Sequence, residues 1–467
     1  MEKKWYQKFI GDKAFYKMVL MVAVPIMIQN GITNFVGLLD NIMVGRIGTV
    51  QMSGVAIVNQ LMMVFNLAIF GAISGAGIFG AQFFGCKDHK GVQHAFLFKV
   101  YVCLAILVLG IVILLGWGEE LILLYLHGES GDITALEGTL HYGKIYLLVM
   151  LFGLPAFCVD QFYASTLREC GETMLPMKSG ITAVLVNLVL NAILIFGLFG
   201  LPAMGVLGAG LATVISRYVQ AIITVVWTHT HAEQMVFVKG VYKNWKIPGG
   251  LVKKITLKGM PLMVNEILWS MGMAMLMQCY SVRGLDTVAA LNISSTITNL
   301  FNIIFIAMGS SVAILVGQLL GAGKLEEAKD VDTKLIASSV MACVVMGALL
   351  VICAPLFPKL YNTTDSVKEL ATSFMRVAAV CMPMHGFLHA AYFTLRSGGK
   401  TVITFFFDCV FLWVVAVPVA FVLSRFTGMP IVPLYFICQL TDLIKCVLGF
   451  ILLKKGVWIH NLTADNS

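Results

Sequence analysis

Apolar residues run along this chain in blocks too long for an ordinary soluble helix. Twelve stretches stand out, at about 16–40, 53–84, 95–117, 141–165, 175–198, 205–229, 256–281, 288–320, 334–355, 371–395, 401–424 and 431–453. Crossing the hydrocarbon core takes about 20 apolar residues, and the stretches meet that need. In lipid only helices and closed barrels satisfy their own backbone hydrogen bonds. The strict alternation of barrel strands is absent, so the pattern predicts an all-α polytopic membrane protein with twelve transmembrane helices.

Composition agrees and removes the alternatives. Of 467 residues, 59% are hydrophobic and only 12% charged, with a mean hydropathy of +0.90. Soluble domains carry about 25% charged residues, so this chain cannot cover a water-facing surface. Soluble enzymes, nucleic-acid binders and disordered scaffolds are excluded. The eleven cysteines are scattered singly, without a CxxC pair, and most lie in apolar stretches where Cys acts as a small hydrophobe. They predict neither a disulfide framework nor a metal site. The N-terminal segment with Lys3, Lys4, Lys8, Lys13 and Lys17 lacks a small-residue cleavage site, so it does not read as a removable signal peptide.

An even number of spans puts both ends on one side. The N-terminus and the even-to-odd connections hold most of the basic residues: Lys87, Lys90 and Lys99; Arg168 and Lys178; Lys239 to Lys258; Lys324, Lys329 and Lys334; Arg396 and Lys400. Lys454 and Lys455 follow the last span. The opposite connections are poor in basic residues, and one carries Glu119, Glu120, Glu129, Asp132 and Glu137. By the positive-inside rule both termini are expected in the cytoplasm of a plasma (inner) membrane. The same rule accounts for the net charge of +8 without an anionic partner.

The two halves of the chain resemble each other. Thr166-Leu167-Arg168-x-x-Gly171-x-Thr173 recurs as Thr394-Leu395-Arg396-x-x-Gly399-x-Thr401. Gln82-Phe83-Phe84-Gly85 recurs as Gln318-Leu319-Leu320-Gly321, and Val24-Pro25-Ile26 as Met260-Pro261-Leu262. Between them lies a polar stretch with Pro248-Gly249-Gly250. The expected organisation is a six-helix lobe over 1–230, a cytoplasmic linker over 231–255 and a second six-helix lobe over 256–467. Six spans per half make the repeats parallel, an arrangement common in secondary transporters with a substrate site near the midplane.

At these residues the chain resembles the multidrug and toxic compound extrusion (MATE) family, in its NorM-like and DinF-like prokaryotic branch. The resemblance covers nearly the whole length. It rests on Pro25 and Asp40, the Gly80-Ala81-Gln82-x-x-Gly85 exit of the second span, and both Leu-Arg-x-x-Gly turns. Asn187-x-x-x-Asn191 and Gly208-Ala209-Gly210-Leu211-Ala212-Thr213 complete the series. It implies two lobes in a V and alternating-access antiport of amphipathic, mostly cationic organic compounds against Na⁺ or H⁺. The expected partners are small organic cations and the lipid bilayer, with no nucleic acid, no cofactor beyond the coupling ion, and a monomeric protein.

Asp40 leads the candidates for that chemistry. Gln29, Thr33, Gly37 and Asp40 share one helical face by spacing, which makes Gln29 and Thr33 candidates for the substrate cavity. An acid at the end of a span can pair with a neighbour such as Arg46; a buried one marks an ion or proton path. Asn187 and Asn191, one turn apart, read as polar glue between helices or as ligands. By the family's pattern they join Asp40, Ala209 and Thr213 in a cation-coupling site of hard oxygens suited to Na⁺. Glu266 is the second intramembrane acid and a candidate for coupling in the second lobe, with Lys258 as its alternative pairing partner and Trp269 on its face. The NorM-like branch has an Asp eleven residues before the Arg of the second Leu-Arg turn; here that position is His385.

His385 and His389 are one turn apart and read as buried hydrogen-bonded histidines, or as proton-responsive and substrate-lining ones. No local third ligand supports a metal pair. A competing reading within the same superfamily is a flippase for a lipid-linked precursor. That reading calls for several basic residues within the spans, where only Arg217, Arg376 and Lys445 stand out. No nucleophile–base pair or HExxH helix is present, so no catalytic residue is assigned and an enzyme is not expected.

Overall fold

The computed structural model describes residues 8–126, 133–361 and 363–464. It is helical throughout, without a strand among the described residues. The first six long helices are α1 Lys13–Gly45, α2 Thr49–Gly85, α3 His89–Leu126, α4 Ile133–Glu169, α5 Met174–Phe196 and α6 Val206–Thr230. The second six are α7 Gly249–Ser281, α8 Leu285–Gly321, α9 Leu325–Cys353, α10 Asp365–Ser397, α11 Thr401–Phe426 and α12 Ile431–Lys454. Eleven of these are both long and apolar enough to cross a membrane; α10 has the length, with 33 residues, but a more polar sequence. Several outgrow the expected stretches. At 1.5 Å per residue the 38 residues of α3 make it longer than a hydrocarbon core of about 30 Å.

The internal repeat reaches the irregularities of the helices. Pro25 in α1 matches Pro261 in α7, and Pro155 in α4 matches Pro383 in α10. Each proline removes one backbone hydrogen bond inside its helix, and the surrounding bundle tolerates this because neighbouring groups re-satisfy the carbonyl.

Packing divides the chain into two compact units. Unit 1 takes the described parts of 1–27, 81–88 and 257–467, and unit 2 takes those of 28–80 and 89–256. These units differ from the lobes expected from the repeat. In unit 1, Phe15, Val19, Val22 and Ile26 of α1 share a core with Val312, Leu315 and Leu320 of α8 and Leu335 of α9. Burial of these side chains against α8 and α9 groups the start of α1 with second-half helices rather than with its own repeat.

The stretch expected as the linker is packed within unit 2. Phe237 and Val241 are 2% exposed. The Gln93 amide donates to the Lys239 carbonyl at 2.9 Å, and the Tyr101 hydroxyl to the Trp245 carbonyl at 2.9 Å. The hydroxyls of Tyr163 and Tyr242 meet at 2.5 Å, with the His229 ring 2.8 Å from Tyr163. Only a few residues separate this docked turn from α7, which starts at Gly249, inside the expected linker.

In unit 1 the repeated Gln-x-x-Gly motifs meet each other. Gly85 lies against the Gln318 carbonyl and Gly321 against the Gln82 carbonyl, each too close for a Cβ. Beside them the Gln82 amide donates to the carbonyls of Ser397 at 2.9 Å and His460 at 3.3 Å, and its oxygen accepts from Leu462 N–H at 2.7 Å. The exits of α2, α8 and α10 and the segment after α12 are thereby tied together. Gly321→Val forces one backbone off another, and overpacking costs about 1–3 kcal/mol. We expect a lower thermal midpoint for this variant of the purified protein, while Gly116→Ala, with open space around the position, leaves it unchanged. Equal midpoints for Gly321→Val and wild type would contradict the packing.

Candidate functional site

Gly208 lets α5 and α6 approach, because a Cβ there would meet the backbone of Leu194 at 2.7 Å. That approach sets Asn187 and Asn191 of α5 against Ala209 and Thr213 of α6. Asn191 Nδ2 donates to Asn187 Oδ1 at 3.1 Å, Asn187 Nδ2 to Thr213 Oγ1 at 3.3 Å, and Thr213 Oγ1 to the Ala209 carbonyl at 3.0 Å. Four of the five residues of the expected coupling set therefore form one hydrogen-bonded string in unit 2. Asn187 and Asn191 are 6% and 2% exposed. The fifth, Asp40, belongs to α1, but its side chain lies outside the described residues.

The other expected positions are distributed more widely. In unit 2 the Gln29 amide oxygen accepts from Arg168 Nη2 at 3.0 Å, so Gln29 is engaged by the first Leu-Arg turn. Thr33 is exposed on α1, and Trp269 is exposed on α7 at 38%. Glu266 is half-buried on α7.

Two buried polar clusters in unit 2 were missed from the sequence. Asp160 of α4, 4% exposed, accepts from Thr224 Oγ1 at 2.9 Å and Gln220 Nε2 at 2.8 Å. Lys99, counted above among cytoplasmic surface charges, is instead wholly buried. Its ammonium lies 2.6 Å from Glu169 and donates to Ser165 and Thr166 as well. Removing one partner of such a pair costs about 3–5 kcal/mol, because the other is left uncompensated. The equivalent threonine of unit 1, Thr394, donates to the buried Asp332 at 2.5 Å. Each repeat thus holds a charged residue from its third helix against the Thr of its Leu-Arg turn, with opposite sign.

Unit 1 contains a richer group. His385 Nε2 of α10 lies 3.6 Å from Asp442 Oδ2 of α12. Lys445, one turn further along α12, is 3.8 Å from Asp442 and 3.3 Å from Asp408 of α11. Asn265 Nδ2 of α7 donates to Asp408 Oδ2 at 3.2 Å and approaches the Tyr392 hydroxyl at 3.5 Å. His389 packs its ring 4.7 Å from Phe305, with Nδ1 lacking a hydrogen-bond partner. Of this group only the histidines were singled out by spacing, and Lys445 only as a basic residue in a span. Asp408 and Asp442 were equally visible as acids within stretches 401–424 and 431–453.

Comparison with known proteins gives these sites a context. The family profile described as MatE matches residues 25–193 and 261–422. A Thermotoga maritima protein described as probable multidrug resistance protein NorM is 26% identical, over 95% of this chain and 93% of its own length. Bacillus subtilis YoeA, also described as a probable multidrug resistance protein, is 24% identical over 89% and 88%. The solved structure of a Vibrio cholerae MATE transporter, VcmN, superposes with a TM-score of 0.85, over 96% of this chain and 98% of that one, at 16% identity.

Proposed function

The chain belongs to the MatE family of membrane transporters, which are not enzymes, and from that premise we propose a cation-coupled antiporter of organic compounds. It exports amphipathic, mostly cationic molecules by alternating access, as a monomer in the plasma (inner) membrane, in exchange for Na⁺ or H⁺. The observation that carries this reading is the Asn187–Asn191–Thr213–Ala209 string. A carbonyl or hydroxyl oxygen has two lone pairs, so the oxygens of Asn187, Thr213 and Ala209 can each accept a hydrogen bond and still face a hard cation. With Asp40 they form a site that a cation neutralises and a cationic substrate competes for. The relatives described as multidrug resistance proteins support the substrate class.

The flippase reading has less support. Phosphate capture calls for several basic side chains free to hold it; Lys99 and Lys445 are engaged by carboxylates, and Arg217 packs over the Phe157 ring. Export gains its driving force from the membrane potential, about 2.3 kcal/mol per charge per 100 mV, when more cation charge enters than leaves.

Asp40→Asn keeps the shape of the side chain but cannot change charge. We expect this variant to insert, to bind drug, and to lose gradient-driven export, while Asn187→Ala and Thr213→Ala weaken ion affinity several-fold and retain transport. Resistance and ion dependence identical to wild type in Asp40→Asn cells would move the coupling site elsewhere.

Both termini and the 231–255 segment are proposed to face the cytoplasm, on the strength of the basic residues in the even-to-odd connections. In a background without native cysteines, Lys243→Cys is expected to resist membrane-impermeant maleimide in intact cells and to react after permeabilisation. Labelling from outside would reverse the topology.

A further inference from the structure

The connection after α6 and the first turns of α7 belong to unit 2, and their charge is one-sided. Between Glu233 and Glu266 the sequence carries six lysines and no acidic residue. In the same stretch, rings that a water-facing turn would hide stand exposed. Tyr242 and Trp245 are both exposed, and so is Tyr101 of α3, whose hydroxyl donates to the Trp245 carbonyl. The Trp245 ring lies 6.0 Å from that of Tyr101 and 5.6 Å from that of Tyr242. Trp and Tyr gather at the head-group level of a bilayer, where one end of the ring meets hydrocarbon and the other stays wet.

Beside this aromatic rim the chain leaves a hollow of ≈ 420 Å³, walled by Tyr101, Val102 and Ala105 of α3, by Ile247, and by Val252 and Thr256 of α7. Its size falls among ligand clefts, which run from roughly 300 to 1,000 Å³. Helical spacing explains the arrangement. Leu251 and Ile255, one turn apart, are buried. Val252 and Thr256 follow one step round the helix and line the hollow, which puts the exposed Lys253 at its edge. Lys246, also exposed, directly precedes Ile247. Unlike Lys99, neither lysine takes part in an ion pair among the described residues. Along α3 from Ala105, an exposed apolar row continues through Leu104, Val108, Val112 and Leu115, which share one face by spacing. The hollow therefore joins a cationic edge to an apolar wall.

We propose that this hollow seats one anionic phospholipid, with its phosphate against Lys246 and Lys253 and an acyl chain along the Leu104–Leu115 face of α3. A cluster of lysines beside a spanning helix attracts anionic head groups, by about fivefold in affinity per lysine near the surface. Gly249 and Gly250 leave open space at the start of α7, so a head group can reach the first turn without a steric barrier. Lys246 and Lys253 precede the apolar stretch of α7. The lipid is thus held at the rim rather than carried through, which sets it apart from the cargo of a flippase. Nothing in the seat depends on antiport, and on the proposed topology the leaflet is the cytoplasmic one. A seated lipid bridges α3 and α7 and secures the docked connection between them.

Trp245 serves as the reporter, because bromine on an acyl chain quenches an adjacent tryptophan. The full chain is placed in phosphatidylcholine nanodiscs with a minor fraction of phosphatidylglycerol, each lipid being brominated in turn. The Trp245 signal is the difference between a protein and its Trp245→Phe version, made in every background. Brominated phosphatidylglycerol is expected to quench Trp245 well beyond its mole fraction, with a preference of about 25-fold over phosphatidylcholine that falls as salt rises. Lys246→Gln with Lys253→Gln is expected to bring quenching down to the mole fraction. Lys359→Gln with Lys368→Gln, which removes the same charge from unit 1, is expected to leave the preference unchanged. Ala105→Phe keeps every lysine but fills the hollow, and is expected to lower the preference several-fold. Quenching in proportion to mole fraction in wild type, or a preference that survives loss of Lys246 and Lys253, would overturn the proposal. So would equal loss in the Lys359 and Lys368 variant, or no change in Ala105→Phe, since either would mean diffuse attraction to a basic surface in place of a seat. Loss of drug transport with the preference intact would instead overturn the transporter reading alone.

Discussion

A charge inside a bilayer-spanning bundle must find its counter-charge within the protein, because no water or salt is at hand to supply it. Among the described residues that requirement is met in different ways. Lys99 and Glu169 neutralise each other completely, with Ser165 and Thr166 filling the remaining hydrogen bonds. Asp160 and Asp332 rely on hydroxyl and amide donors. The cluster of unit 1 sets Lys445 between Asp408 and Asp442 and leaves the buried Asn265 Oδ1 without a donor.

Much of the architecture was legible as hydropathy. Twelve apolar stretches became twelve helices, and the repeated Thr-Leu-Arg and Gln-x-x-Gly motifs occupy corresponding helix ends. Packing partners were less legible. Nothing local tells that Phe15 and Val19 belong with Leu315 and Leu335, or that Phe237 and Val241 bury the polar connection after α6. Charge patterning also misled at Lys99. A lysine near a helix entrance reads as a surface cation unless its partner 70 residues away is known.

The site residues divide along the same line. Asn187 and Asn191 announce a shared face by their spacing, and the Gly-Ala-Gly run of α6 supplies the close approach that brings Thr213 to them. His385 and His389 were visible as a pair, but the acid and lysine that give His385 its setting lie on other helices. Asp408 and Asp442 could have been found by asking of every intramembrane acid what neutralises it. One unit holds the Asn187–Asn191–Thr213–Ala209 hydrogen-bond string, and the other holds Lys445 between two carboxylates.

Exchange of one cation for another is the central claim, and uptake of tetraphenylphosphonium into proteoliposomes under separately imposed Na⁺ and pH gradients tests it most directly. At matched membrane potential, imposed gradients are expected to drive accumulation against the tetraphenylphosphonium gradient, with movement falling to simple equilibration when both are collapsed. Equal fluxes with and without gradients, or no protein-dependent flux under either one, would contradict the account.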